Sequence, residues 1–293
     1  MPELPELQAL AEGLDAAVTG RRIVRAVAHS PAVVRSAAPP LEALEGHLIT
    51  AVRRRGKHML VEAGDLTLVL HLMSAGRLGL TTAAGPRPPR SASLGLVLAR
   101  GEDDAGGDPP AAEELRLREN SRTRRANAYL VPTAELDAHG PLARLGPEPG
   151  ELDAAGWRAR LTDPPGVLQT ALREGRRVAG VGRCYASELM WAARLPPLAR
   201  TDRLDDDAWQ RLARAAEVVL GGATARARER ITTNLPDAEK RTTAVHGHHG
   251  EPCLRCGTRL ERIGFQDYEL VYCPRCQTGG RVYADRRTSR FLR

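Results

Sequence analysis

Four of the five cysteines fall in one short stretch, as Cys253-x2-Cys256-x16-Cys273-x2-Cys276. This spacing constrains the fold more than any other feature of the chain. Each CxxC pair sits on a tight knuckle that aims two thiolates at one point, and two knuckles complete a tetrahedral site for one zinc ion. Four thiolates leave no coordination position for water, so the metal is structural rather than catalytic. Two disulfides are the weaker alternative in a chain of this size with no export signal. His246, His248 and His249 lie just upstream and read as a solvated, partly basic connector rather than as competing ligands. Cys184 stands apart and reads as a small buried residue.

At 293 residues the chain is long enough for two domains. Its net charge is +7, and its arginines cluster. Arg53 to Arg55 form one group, Arg173, Arg176, Arg177 and Arg183 a second, and Arg281, Arg286, Arg287, Arg290 and Arg293 a third. Excess arginine favours a polyanionic partner, because the guanidinium fork suits phosphate. The N-terminus is acidic and lacks a continuous apolar core, so no signal peptide is read. No run of about 18 apolar residues suggests a membrane span. The expectation is a cytoplasmic protein with no membrane partner. With two Phe and five Tyr, the core must be filled by Leu, Val and Ala.

The chain changes period as it proceeds. Leu4, Leu7, Ala11, Leu14 and Val18 recur at helical spacing, with Pro5 suited to a first turn and Gly20 to a stop, so residues 5–18 predict a helix. Residues 22–28, 48–54, 58–63 and 66–72 are short, apolar or alternating, and bounded by turn residues, which predicts strands. Residues 101–112 are acidic and rich in Gly and Pro, and read as a mobile hairpin tip. Strand character resumes at 115–117 and 128–131. Beyond residue 133 the character is helical, with a Pro/Gly-rich joint at 146–150. Asp205-Asp206-Asp207 offers an N-cap to a helix carrying Trp209, Leu212, Ala216 and Val219 on one face.

The first residues carry chemistry of their own. Loss of Met1 leaves Pro2 with a free secondary amine; an α-amino group titrates near ~7.7–8.0 and is partly unprotonated at neutral pH. Such an amine is a nucleophile able to form an iminium with a sugar carbonyl equivalent, and Glu3 beside it can give or take protons. Taken alone, a Met-Pro start is an ordinary prelude to a helix. Four further motifs stand with it, however. Pro2-Glu3-Leu4-Pro5-Glu6-Leu7, Arg54-Arg55-Gly56-Lys57, Leu145-Gly146-Pro147-Glu148-Pro149, Gly180-Val181-Gly182-Arg183-Cys184-Tyr185-Ala186-Ser187-Glu188, and Gly250-Glu251-Pro252-Cys253 with Cys273-Pro274-Arg275-Cys276-Gln277 span nearly the whole chain. In this order they resemble the formamidopyrimidine-DNA glycosylase / endonuclease VIII family.

The resemblance implies an α+β multidomain fold: residues 1–132 as an N-terminal catalytic β-sandwich with a leading helix, 133–150 as a linker, 151–245 as a helix–two-turns–helix DNA-binding domain, and 246–293 as a four-cysteine zinc finger with a basic tail. It implies a monomer that binds damaged double-stranded DNA in the cleft between its halves and is nucleoid-associated when bound. It implies a bifunctional glycosylase and AP lyase of base-excision repair, with Pro2 attacking C1′ of a flipped nucleotide, Glu3 handling protons, and Lys57 holding the phosphate beside the lesion. Arg55, Arg124, Arg125, Gly182, Arg183 and Tyr268 are the implied DNA contacts, Cys253, Cys256, Cys273 and Cys276 the ligands of one structural Zn2+. Glu6 either orients the N-terminus or serves as a first-turn carboxylate on the helix dipole.

The chain departs from the family pattern in four places. Arg183 replaces an asparagine after Gly182. Tyr268 stands at the finger position that usually holds a DNA-binding arginine. Ser74 takes the place of an intercalating methionine, with Met73 one residue early; on a strand that shift points the side chain to the opposite face. The family's DPRRFG loop is missing, and residues 120–128 read NSRTRRANA, with Arg124 or Arg125 to fill the gap left by the flipped base. These departures predict an altered lesion or opposite-base preference. The rival readings are an AP lyase alone, a non-catalytic damaged-DNA-binding protein on the same scaffold, and, more remotely, a zinc-ribbon transcription or translation factor.

Overall fold

The computed structural model describes the chain except for residues 31, 84–88, 100–111, 122, 139, 238–240, 266–267 and 285–293. Of the expected hairpin tip at 101–112, residues 101–111 lie outside the described residues, as does the basic tail from Arg286 onward. The chain divides into two compact bodies: residues 1–144 with 224–239, and residues 145–223 with 240–293.

The first body opens with α1 (Leu4–Val18). Its apolar residues Leu7, Leu10, Leu14 and Val18 recur every three or four positions and are buried together. Glu3 is the N-cap, and the helix stops at Thr19, before a left-handed Gly20. Eight strands follow: β1 (Ile23–Ala28), β2 (Ile49–Arg55), β3 (His58–Ala63), β4 (Leu66–His71), β5 (Gly76–Thr82), β6 (Ala92–Leu98), β7 (Glu113–Glu119) and β8 (Asn127–Pro132), then a single turn of helix, α2 (Gly140–Ala143). They form two antiparallel four-stranded sheets, ordered β1-β6-β7-β5 and β2-β3-β4-β8. Leucines of both sheets, among them Leu68, Leu70, Leu96 and Leu117, share one core with the apolar face of α1. Ala227, Ile231 and Leu235 join that core. Gly13 lets the late segment approach, since a Cβ there would lie 1.8 Å from the Thr232 carbonyl oxygen. Two strands, β5 and β6, have no counterpart among the predicted ones.

The second body holds α3 (Ala154–Thr162), α4 (Leu168–Arg173), α5 (Arg183–Ala192) and α6 (Asp206–Arg228), whose last residues are counted with the first body. Asp153 caps α3 by accepting the Gly156 amide, and Asp205 caps α6 by accepting that of Ala208. Trp157, Leu172, Leu189, Trp209 and Leu212 form the helical core. The chain ends in a hairpin, β9 (Glu261–Gly264) with β10 (Glu269–Tyr272), and a short α7 (Pro274–Thr278). No helix among the described residues is long and apolar enough to cross a membrane.

One buried carboxylate joins α5 to the segment before the finger. Glu188 accepts the amides of Ala244, Val245 and His246 at 2.7, 2.9 and 2.8 Å. Removing it strands three donors, two of them only partly buried, and hydrogen bonds to a charged group are worth ~1.5–3 kcal/mol each. Glu188→Ala is therefore expected to cost on the order of 3 kcal/mol, read as a lowered midpoint in chemical denaturation; an unchanged midpoint would show that water replaces the carboxylate.

Candidate active site and DNA-binding groups

The start of α1 is fixed by a reciprocal pair. The Glu3 N–H donates to the Glu6 carboxylate at 2.9 Å, and the Glu3 carboxylate accepts the Glu6 amide. Pro2, Glu3 and Glu6 are all buried, while Met1 is exposed. The Glu6 carboxylate sits in the first turn of α1 and holds the Glu3 amide, an arrangement that fits both roles expected of it.

The helix is aligned on β2 by two side chains. Asp15 accepts the Val52 amide at 2.6 Å, and Gln8 accepts from Arg54 Nε at 3.0 Å. Helix and strand thus run antiparallel. Five more helical residues towards Glu3 cover about 7.5 Å, and two strand residues beyond Arg54 cover about 6.6 Å. The Pro2–Glu3 end therefore arrives beside the turn after Arg55. That turn is Gly56-Lys57, a two-residue hairpin loop with Gly56 at φ +58°. Arg55 closes it, opposite His58, and Arg54 donates to the Gly56 carbonyl.

Two histidines, not singled out in the sequence, complete this corner. His58 on β3 pairs with His71 on β4, their rings edge to face with centroids 4.7 Å apart. The His71 ring accepts the Met73 amide at Nδ1 (3.1 Å). Burial first, and then the Lys57 ammonium, hold His71 down to about 4. The ring is neutral at physiological pH. Their signal in the sequence was weak, because two histidines thirteen residues apart meet only once the hairpin register is known.

Met73 is not on a strand. β4 ends at His71, and Met73 lies in a turn at φ +52°, closed by the Gly76 amide on the Leu72 carbonyl. The expected reversal of strand face does not apply to it. A Cβ at Gly76 would meet that carbonyl at 2.2 Å, which explains the glycine. In the 120–126 segment, Glu119 accepts the amides of Arg125 and Ala126. The Arg124 guanidinium is tied to the carbonyls of Arg90 and Ala92. Arg125 is exposed and keeps its side chain for other partners.

In the second body, Gly182 is buried and serves as the N-cap of α5 in an extended conformation, following a left-handed Gly180. Arg183 opens the helix, exposed, with its guanidinium carbon 4.8 Å from the centre of the Tyr268 ring. Of its neighbours in the sequence cluster, Arg173 lies over the same ring at 4.8 Å, and the other two are committed to Glu174. Arg177 is buried and donates to Glu174 and to the carbonyls of Leu161 and Pro164, and Arg176 shares Glu174.

The four cysteine sulfurs lie within 4.8 Å of one another. Cys256 is 3.5 Å from Cys273 and 3.4 Å from Cys276, far beyond a disulfide at about 2.05 Å and near the ~3.8 Å edge of a tetrahedron with Zn–S bonds of about 2.3 Å. Burial pushes the Cys273 thiol up to about 12, while hydrogen bonds from Thr258 bring Cys256 down to about 6. Four sulfurs held this close carry their negative charge together only around a cation. The Trp191 indole N–H, on α5, donates to Cys253 at 3.4 Å and orients that ligand. The group holds one structural zinc ion. The His248 ring bonds Glu251 and Thr243, and none of the three upstream histidines is grouped with the four sulfurs among the described residues. Cys184 is buried, as expected.

A family model described as the formamidopyrimidine-DNA glycosylase N-terminal domain matches residues 1–118, and one described as a zinc finger found in FPG and IleRS matches 250–279. The formamidopyrimidine-DNA glycosylase of Geobacter sulfurreducens is 34% identical over 286 residues, covering 94% of this chain and all of the relative. That of Moorella thermoacetica is 32% identical over 275 residues, 90% of this chain and 94% of its own. Among solved structures, wild-type Lactococcus lactis Fpg with N7-benzyl-Fapy-dG DNA superposes with a TM-score of 0.80 at 26% identity, covering 94% of this chain and all of that one. The same protein with abasic-site DNA gives 0.78 at 25%, covering 94% and 99%.

Two outcomes are expected from this geometry. Cys253→Ser should lose the metal and unfold the finger, seen as zinc release and a change in Trp191 fluorescence; a variant that keeps one zinc per chain would contradict the four-sulfur site. Between about pH 6.5 and pH 4 the unfolded chain binds a proton at His71 that the folded chain does not. Stability should therefore fall as pH drops through that window, with no His71 contribution above it. His71→Asn should flatten the pH dependence of the melting temperature there.

Proposed function

The chain belongs to the formamidopyrimidine-DNA glycosylase family, DNA glycosylases of base-excision repair, and from that premise we propose that it both excises the damaged base and cuts the strand. With Met1 removed, the Pro2 amine attacks C1′ of the flipped nucleotide. The new N–C1′ bond replaces the glycosidic bond, and the base leaves with a proton. Opening of the sugar gives an iminium. Loss of a C2′ proton then expels the 3′ phosphate, and hydrolysis releases the amine. Iminium chemistry needs an amine that is unprotonated, reachable and held still.

The observation that carries this reading is the reciprocal Glu3–Glu6 pair, which fixes the first residues of the chain where termini ordinarily fray. Glu3 is the group adjacent to Pro2 for proton transfer at the sugar oxygen and base. Lys57, on its rigid turn, and Arg55 beside it hold the phosphate next to the lesion. Arg125, with Arg124 committed to carbonyls, enters the gap left by the flipped base. Gly182, Arg183 and Tyr268 contact the duplex backbone. Relatives carry the formamidopyrimidine name, and the Lactococcus lactis complexes hold Fapy-type and abasic DNA; we take ring-opened purines as the substrate class and abasic sites as substrates of the second step.

Borohydride trapping tests this on duplexes carrying a formamidopyrimidine, an oxidised pyrimidine or an abasic site. A covalent adduct on the first and third that disappears in Pro2→Gly, while duplex affinity stays within about threefold, is the expected result. Adduct on the abasic duplex alone would reduce the protein to a lyase. Binding without adduct on any duplex would leave a damage-binding protein.

A further inference from the structure

A cleft of about 430 Å³ opens in the second body where α5 ends, a size that suits a ligand. Leu195, Pro196, Leu198 and Leu204 give it an apolar floor, and Arg194 and Arg211 stand in its walls. The cleft is preformed. The Gln277 side-chain amide donates to the Leu195 carbonyl at 2.8 Å, and Tyr283, which also lines the cleft, is fixed by its amide on the Tyr272 hydroxyl at 2.8 Å. Arg211 donates to the Ala193 carbonyl through Nε, which leaves its two terminal nitrogens for a ligand.

Arg194 occupies a position that ordinarily selects glycine. Beyond α5 the Leu195 amide donates to the Met190 carbonyl and the Arg194 amide to that of Trp191, the double closure of a Schellman turn. Arg194 lies in the left-handed region at φ +56°, where a Cβ is penalised. Strain held at an exposed arginine points to a use for its side chain. The nearby acids are already engaged: Asp202 is bound by Arg200, and the Asp205 carboxylate accepts the Ala208 amide. Arg194 and Arg211 pair with no carboxylate among the described residues. Arg194 also lines a second hollow with Arg255, Arg275, Cys256 and Cys276. Four thiolates on one Zn2+ leave a net charge of about −2 there, which Arg255 and Arg275 balance, so Arg194 remains for the cleft.

The occupant must bring negative charge and an apolar group together. A nucleic-acid backbone brings only the first, and the groups proposed for the duplex, Gly182 and Arg183, lie at the other end of α5, ten residues or about 15 Å away. The chain beyond residue 284 carries Arg286, Arg287, Arg290 and Arg293 against Asp285, a charge of the wrong sign. Carboxylates present forked acceptors to guanidiniums, and an apolar side chain next to them covers the leucines. We propose that the cleft is a docking site for a partner protein, filled by an acidic peptide segment that ends in apolar side chains. Its carboxylates meet Arg194 and Arg211, and its apolar end seats on the floor. The site recruits rather than reacts, and it stands apart from the glycosylase and lyase steps.

The test is fluorescence anisotropy of the full-length, zinc-loaded protein with a labelled peptide of four aspartates followed by leucine and phenylalanine. Saturable binding is expected, weakened roughly threefold to tenfold in Arg194→Gly and in Arg211→Ala, and weakened again when serines replace the leucine and phenylalanine of the peptide. Arg194→Gly should keep its zinc and its melting temperature, since glycine accepts the left-handed turn; its loss of binding is then not a loss of fold. Affinity for a duplex with a tetrahydrofuran abasic analogue should match the wild type in both variants. Absence of saturable binding, or equal affinity for the serine-substituted peptide, would overturn the proposal. A duplex salt slope lowered by about one in the arginine variants would overturn it by making this surface a contact for the DNA backbone. A gain of about tenfold in peptide affinity on deleting residues 285–293 would overturn it by making the chain's own tail the occupant.

Discussion

The first residues of this protein are held in place by a hydrogen-bonded exchange between two glutamates, on which the placement of α1 depends. A chain terminus has little to hold it, and a residue at position 2 would ordinarily sample many conformations. Here Glu3 and Glu6 each satisfy the other's amide, both are 3% exposed, and neither leaves a donor open. The carboxylates also sit at the positive end of α1, where negative charge is favoured. The helix cannot shift along its axis without breaking Asp15 from Val52 and Gln8 from Arg54, nor roll without exposing Leu7, Leu10 and Leu14. The first turn of α1 and the turn holding Lys57 are thereby placed by the same two strand contacts.

The second body repeats this economy on α5. Its first residue, Arg183, faces the finger hairpin through Tyr268. Its middle residue, Glu188, gathers three amides of the connector, and near its end Trp191 donates to a cysteine sulfur. Zinc fixes the finger internally, but these contacts fix it to the helix. Arg255 adds to them by lying over the Trp191 ring at 4.2 Å and donating to its carbonyl. Metal binding and the position of the hairpin are therefore linked: loss of zinc would free the hairpin that carries Tyr268.

Elements with a strong local period were legible in the sequence. α1 and α6 carry apolar residues at helical spacing behind recognisable N-terminal signals, and β3 spans the residues its pattern indicated. The cysteine spacing specified its site because zinc tolerates few geometries. β5 and β6 were not legible, and for a physical reason. Their sequences GRLGLTT and ASLGLVL contain glycines that lower strand propensity, and β6 is buried along nearly all its length, so it shows no alternation to read. Met73 shows the converse error, in which a periodic argument was extended past the end of β4 into a left-handed turn. The pairing of His58 with His71, and of Arg183 with Tyr268, follows from tertiary register, to which local pattern is blind.

Charge is the property in which the sequence misleads most. Clustered arginines suggested several polyanion-binding patches, yet Arg53, Arg176 and Arg177 of those clusters are bound by carboxylates, as are arginines elsewhere in the chain. Arg53 binds Glu62, Arg177 binds Glu174 and two carbonyls, Arg21 binds Glu113, Arg116 binds Glu114, and Arg228 binds Glu12. A guanidinium that satisfies backbone carbonyls, as those of Arg124 and Arg177 do, serves as a structural brace. Other arginines lie over aromatic rings, as Arg173 and Arg183 do over Tyr268. An aromatic partner orients a guanidinium without neutralising it, because the ring offers a quadrupole and no net charge. A carboxylate in the same place would hold the side chain more firmly and cancel the field that attracts phosphate.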